Sequence, residues 1–190
     1  MAEVTANDLM RSDFVRVDKE DSVNTLISKV MKSGYNSALI FDGNKFLGIA
    51  TPRSLLRKRI DFAKVKAKTV AESCPVITKD TGLVKIAGLM LSSGYRLLPV
   101  SENGRVTGVV PSQKVIEQAG LMPETKSLSA EAVATPKVVV LRNDTSIEEA
   151  FSLMRDNRLK KVIVFDAKGK VSGILSMDDI LEKYLLRGNK

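Results

Sequence analysis

Three glycines in near-identical settings constrain this chain more than any other feature. Gly48, Gly108 and Gly173 lie within Phe46-Leu47-Gly48-Ile49-Ala50, Val106-Thr107-Gly108-Val109-Val110 and Val171-Ser172-Gly173-Ile174-Leu175, at spacings of 60 and 65 residues. Upstream, Val17 to Met31, Val76 to Met90 and Val140 to Met154 each span fourteen positions, and an acidic residue (Asp21, Asp80, Asp144) stands four after each valine. Matched anchors at one period imply a supersecondary unit built three times over, not one large core.

Each unit reads alike. A short helix opens it (Val4 to Met10, Thr69 to Cys74, Leu128 to Ala134), and an extended β-branched run follows, clearest at Val138-Val139-Val140-Leu141. Asp21-Ser22, Asp80-Thr81 and Asp144-Thr145 then supply helix starts. Apolar residues at helical spacing continue from them, as at Ile27, Val30 and Met31, or Ile147, Ala150, Phe151 and Met154. Two strands joined by a tight turn come next, marked by Asn103-Gly104 and Lys168-Gly169. A second helix closes the unit, for example Met177 to Leu186. The predicted units are 1–60, 67–118 and 128–187, with connectors at 60–68 and 119–127. A sheet of this size covered on one face by two helices leaves apolar surface open, so such units are expected to pack in pairs.

Composition excludes several kinds of protein. No apolar run follows the polar stretch Met1 to Asp8, so no secretory signal is read, and none approaches the roughly 18 residues needed to span a bilayer. Cys74 is the single cysteine and there is no histidine, which leaves little for a zinc site or a nucleophile–imidazole pair. No catalytic and no metal residues are assigned, and a reduced, cytoplasmic setting is expected. The net charge of +8 favours anionic partners or a Lys-rich solubilising surface. Its only clusters are Arg57 to Arg59 and Arg158 to Lys161, and aromatic residues, at 5%, are too few to favour stacking on single-stranded nucleic acid.

The order of elements, the glycine strand and the stretch Gly94-Tyr95-Arg96-Leu97-Leu98-Pro99-Val100 resemble the repeats of the cystathionine-β-synthase (CBS) family, and the resemblance covers nearly the whole chain. It implies an α/β fold of the α+β kind: tandem repeats, each a small three-stranded sheet with two helices on one face, packed pairwise. In that family paired repeats form a module with two clefts that commonly hold AMP, ADP, ATP or S-adenosylmethionine, and modules often dimerise.

The family's ribose signature is Ser or Thr, two residues, then Asp after the glycine strand. The third unit matches it at Ser176 and Asp179; the first keeps Thr51 but has Ser54 in place of the acid; the second has Pro111 and Lys114. A carboxylate at Asp179 accepts two bonds from a ribose diol, and a helix start offers amides to a phosphate. Ser-x-x-Asp is also nearly a capping box, and service at the helix end alone is the alternative reading of both residues. The resemblance further implies phosphate partners at Arg96, Lys160 and Lys161, and adenine near Thr135, Val138 and Val139.

The expected function is a regulatory, non-enzymatic module that senses an adenosine-containing ligand for an unknown regulated partner. A ligand-free structural or protein-interaction module and a nucleic-acid-binding protein are the alternatives. Three units are an awkward number for a fold that pairs. The first two are expected to pair within the chain and the third with its twin in a homodimer, unless a longer protein supplies a fourth.

Overall fold

The computed structural model describes residues 3–56, 64–134, 138–157, 159–180 and 183. The basic cluster Arg57 to Arg59, Arg158, the adenine-side candidate Thr135 and most of the closing helix beyond 180 lie outside the described residues. The chain divides into two compact units after Leu128. Among the described residues no helix is long and apolar enough to cross a membrane.

The first unit holds two repeats. Helix α1 (Ala6–Leu9) precedes β1 (Arg16–Asp18), α2 (Val23–Ser33), β2 (Ala38–Asp42), β3 (Lys45–Ala50) and α3 (Pro52–Leu56). β1 runs parallel to β2, and β2 antiparallel to β3. In the second repeat a 3-10 turn (Ala67–Val70) leads to α4 (Leu83–Ser93), β4 (Leu97–Glu102), β5 (Arg105–Pro111) and α5 (Ser112–Gly120). Its first strand shrinks to Ile77, which makes a parallel bridge to Val100. The connector at 119–127, expected to be loose, contains a further short helix, α6 (Pro123–Lys126), started by Pro123 at its first turn.

The second unit is the third repeat. It runs α7 (Ala130–Val133), β6 (Val140–Arg142), α8 (Ile147–Asp156), β7 (Lys161–Phe165) and β8 (Val171–Ser176), followed by helix at 177–180. Its sheet has the order β6-β7-β8, parallel then antiparallel, as in the first repeat. All three hairpins carry a register shift at the same place, between Ile40 and Phe41, Val100 and Ser101, and Val164 and Phe165. In the second hairpin Asn103 and Gly104 both take positive φ, which the two-residue turn demands.

The paired strands correct the alignment of the repeats. Val17 pairs with Ile40, whereas it is Ile77, not Val76, that pairs with Val100. Burial agrees: Val17, Ile77 and Leu141 are buried, while Val76 and Val140 are exposed. On the following helices Met90 and Met154 are buried and Met31 is exposed, its place being taken by Val30. The anchors Val17 and Met31 therefore stand one residue out of step with those of the other repeats, and a slip of one reverses the face of a strand. Helix starts shift likewise. Ser22 caps α2 through the Thr25 amide, but Gly82 and Ser146, not Thr81 and Thr145, are the N-caps of α4 and α8.

Repeats one and two are interlocked by exchanging their leading segments. The predicted opening helix at Thr69 to Cys74 forms earlier, at Ala67–Val70, and packs on the first repeat: Val23 N–H donates to Val65 O (2.9 Å) and Ala67 N–H to Asp21 O (2.8 Å). Reciprocally, α1 opens the chain but packs on the second repeat. Ala6 N–H donates to Thr81 O (2.8 Å), and Ala6 and Leu9 are buried with Leu83, Ile86, Met90 and Leu98. The extended residues after each helix pair with the other repeat's last strand, Arg11 with Val109 and Glu72 with Ile49, each through two bonds of 2.8–2.9 Å. These approaches account for two of the glycines. A Cβ on Gly48 would lie 2.6 Å from Glu72 O, and one on Gly108 2.7 Å from Arg11 O. Between the repeats Leu39, Phe41 and Ile49 meet Leu97 and Val109 in one apolar cluster.

Candidate functional site

The third repeat gathers four of the residues singled out from sequence. Ser176 ends β8 and lies directly across the sheet from Lys161 on β7. The Ser176 amide (2.9 Å) and hydroxyl (2.6 Å) both donate to Asp179 Oδ2, and the Asp179 amide donates back to Ser176 Oγ (3.1 Å). This is a complete capping box, with the serine buried and the aspartate half-buried. The Ser176 hydroxyl, then its amide, hold the Asp179 carboxyl below the usual carboxylate value, and the charges of Lys183 and Lys161 add to this. Lys160 joins through its carbonyl, which accepts the Met177 amide (3.1 Å). One carboxylate and one hydroxyl thus meet at a helix N-terminus within reach of the charges of Lys161 and Lys183.

Val138 and Val139 are not brought to this point by the sheet. They precede β6, which lies on the far side of β7 from β8. Val138 is exposed and Val139 half-buried.

In the first repeat Thr51 and Ser54 form the same kind of helix start. The Thr51 amide donates to Ser54 Oγ (2.9 Å), the Ser54 amide to Thr51 Oγ1 (3.3 Å), and the Ser54 hydroxyl to Thr51 O (2.9 Å). With no carboxylate, Ser54 spends its one proton on a backbone carbonyl and is buried. Arg96 is exposed and stands beside the second repeat's signature position, its carbonyl accepting the Ser112 amide (2.7 Å). There Pro111 supplies no side-chain cap, and Lys114 is paired with Glu117 at 2.8 Å. Arg96 is accordingly grouped with the departed signature and not with the residues of the third repeat.

Sequence reasoning passed over the residues that face the helix start of the first repeat. The exchanged segment brings Glu72, Ser73 and Cys74 alongside β3, and Tyr95 closes over them, donating to Ser73 O (2.9 Å) and Glu72 Oε2 (3.4 Å). Burial, then the negative charge of Glu72, pushes the Tyr95 phenol up to about 12, while the charge of Arg53 opposes the rise. Burial alone pushes the Cys74 thiol up to about 12. Tyr35 makes the equivalent bond to Asp13 O (2.9 Å) in the first repeat. The available signal was the dipeptide Gly-Tyr, present at both Gly34-Tyr35 and Gly94-Tyr95, where the glycine ends a helix at positive φ. An open groove of about 480 Å³ lies outside Tyr35, lined by Asp13, Phe14, Lys29 and Lys32 among others, and contains none of the signature residues.

The family model for the CBS domain matches residues 6–61, 67–119 and 130–186. Over 180 residues the chain is 24% identical to the uncharacterised protein MJ1404 of Methanocaldococcus jannaschii, covering 93% of this chain but only 42% of that protein. The fold is similar to that of protein MJ1225 from Methanocaldococcus jannaschii, proposed as an archaeal homologue of g-AMPK, with a TM-score of 0.80 at 13% identity over 94% of this chain and 72% of that one. It is also similar to the cytosolic domain of the Mg2+ channel MgtE in complex with ATP, with a TM-score of 0.52 at 20% identity over 60% of this chain and 48% of that one.

Proposed function

The chain belongs to the CBS domain family, and from that premise we propose that it is a regulatory module sensing an adenosine-containing nucleotide, with no chemistry of its own. The observation that carries this reading is the pairing of Ser176 with Asp179 at the end of β8, opposite Lys161 and next to the backbone of Lys160. An ionised carboxylate has about four acceptor positions, and Ser176 takes up two. The remainder suit a ribose diol. The lysines and the amides of the helix start suit phosphates. Thr51 and Ser54 offer a weaker second position, since a hydroxyl lacks the charge assistance of a carboxylate. Arg96 is kept as a phosphate partner and Val138 and Val139 as adenine-side surface. The MgtE domain, whose structure holds ATP, supports the ligand class by likeness of fold. A cytoplasmic setting belongs to this reading.

The test is thermal unfolding with millimolar AMP, ADP, ATP and S-adenosylmethionine. A ligand at 100 times its dissociation constant adds about 2.7 kcal/mol to the folded state. A shift with one of them, absent in Asp179→Ala, establishes the sensor. A second reading, a ligand-free interaction module, is favoured by one observation: both signature pairs already serve as helix caps. No shift with any of the four ligands would replace the first reading by the second.

A further inference from the structure

One strand edge of the first repeat is both open and basic. The sheet order β1-β2-β3 leaves β1 with a free side. The Val15 carbonyl accepts the Leu39 amide (2.8 Å), and the Lys19 amide donates to Phe41 O (2.7 Å). Residues 15, 17 and 19 therefore turn their backbone groups toward β2, and residues 14, 16 and 18 turn theirs outward. The Asp18 amide is taken up by Asp21 Oδ2 (3.3 Å). The outward amides and carbonyls of Phe14 and Arg16 have no partner among the described residues. The groove outside Tyr35 follows this edge, lined by residues 13–16 and by Lys29 and Lys32 of α2. Its charges are unequal. Asp13 is held by Arg11 at 2.8 Å, and Lys29 shares Asp21 at 2.9 Å in a surface pair that exchanges readily. Lys32 has no counter-ion among the described residues. Arg16 rests its guanidinium on the Phe41 ring, 3.7 Å from the centroid, which fixes its position.

The fold does not require these cations. By strand pairing and helix caps, Arg16, Lys29 and Lys32 correspond to Val76, Leu89 and Ser92 in the second repeat, and to Val140, Leu153 and Asp156 in the third. Cations that only guarded a strand edge from mispairing would be expected at all three edges. Instead Val76 and Val140 stand 46% and 50% exposed, with no cation at the matching helix positions.

An open edge offers its amides and carbonyls to an added strand, and flanking cations select acidic side chains on that strand. Free phosphate or a nucleic-acid backbone would use the cations but not the edge. We propose that this edge binds an extended acidic segment of a partner protein. The segment lies beside β1, pairs with the backbone of Phe14 and Arg16, and sets carboxylates against Lys29 and Lys32. At about 3.3 Å per residue the open edge is about 10 Å long, enough for about three or four partner residues. The site lies wholly within the first repeat and does not rest on the nucleotide reading.

Fluorescence anisotropy of the full chain with a labelled octapeptide of alternating Glu and Val tests the proposal. Saturable binding is expected. It should weaken at least fivefold in Lys32→Glu, an exposed position with no ion pair to lose, and stay unchanged in Asp179→Ala. Two further peptides, one methylated at every valine nitrogen and one at every glutamate nitrogen, keep the charge. Only one of them blocks the edge that pairs, and it should bind at least tenfold more weakly than the other. Bound peptide should also slow hydrogen exchange at the Arg16 amide and leave the Val76 amide, on the matching edge of the second repeat, unaffected. Absence of binding overturns the proposal. So does equal binding by Lys32→Glu or by the two methylated peptides, which would reduce the groove to a basic patch. An oligouridylate of equal charge that binds in the peptide's place, with the same dependence on Lys32, overturns it in favour of nucleic acid.

Discussion

Tyr95 donates its phenolic hydroxyl to the carbonyl of Ser73 at 2.9 Å, tying the end of α4 to the segment that the second repeat lends to the first. Tyr35 does the same for Asp13, sixty residues earlier. Each tyrosine thus fastens one of the two exchanged segments. Tyr95→Phe keeps the ring and removes the bond. A stability loss of about 0.5–1.5 kcal/mol is expected, read from the midpoint of urea unfolding, with the double variant Tyr35→Phe and Tyr95→Phe losing close to the sum.

Gly108→Ala should be among the most damaging small substitutions in the chain. Its Cβ would sit 2.7 Å from Arg11 O and crowd the Met10 side chain, and backbone cannot move aside cheaply. Overpacking of this kind costs about 1–3 kcal/mol. Gly48→Ala meets the Glu72 carbonyl and carries the added strain of a φ of +159°. Urea unfolding of the two variants, compared with Gly88→Ala on open helix surface, gives the comparison.

Alkali should loosen the first unit. The Cys74 thiol and Tyr95 phenol are both pushed up to about 12 in the folded protein, from 9.0 and 10.0. The folded state therefore holds these protons more tightly than the unfolded chain. Their stabilisation is present in full below pH 9 and is lost as pH rises from there through about 12. Unfolding midpoints at pH 8, 9.5 and 10.5 should fall, and Cys74→Ala should flatten the first part of the decline. A thiol so placed should also react with a disulfide reagent at pH 8 far more slowly than free cysteine.

At the acid end the relevant group is Asp179. Its folded carboxyl is held below the ordinary 3.8, so its contribution is present above that pH and disappears as pH falls through the lowered value. Ser176→Ala removes the first cause of the shift. It should raise the Asp179 titration observed by NMR toward 3.8 and cost the cap about 0.5–2 kcal/mol. A titration unmoved by this change would show that the serine is not what holds the carboxylate.

The repeats were legible because Gly48 and Gly108 are required by packing, Gly173 stands at the matching position of its hairpin, and the order of elements around all three is repeated. The phase within each repeat was less so. Val76 beside Ile77, and Val30 beside Met31, give two apolar choices a step apart, and only the pairing of Val17 with Ile40 and of Ile77 with Val100 decides between them. The capping pairs Thr51–Ser54 and Ser176–Asp179 could be read directly, since a helix start is a local event spanning four residues. Glu72, Ser73 and Tyr95 could not. They reach the first repeat through the exchange of segments, which no pattern within one repeat encodes.

That exchange also orders events in time. Ala6 and Leu9 leave the ribosome well before Leu83, Ile86 and Leu98, on which their burial waits, and Arg11 well before Val109. At a synthesis rate of about 5–20 residues per second, roughly a hundred residues mean that this leading segment stays unsheltered for several seconds or longer. The leading segment of the first repeat is therefore put in place only after the second repeat is made, and neither of these two repeats completes its fold before the other has emerged.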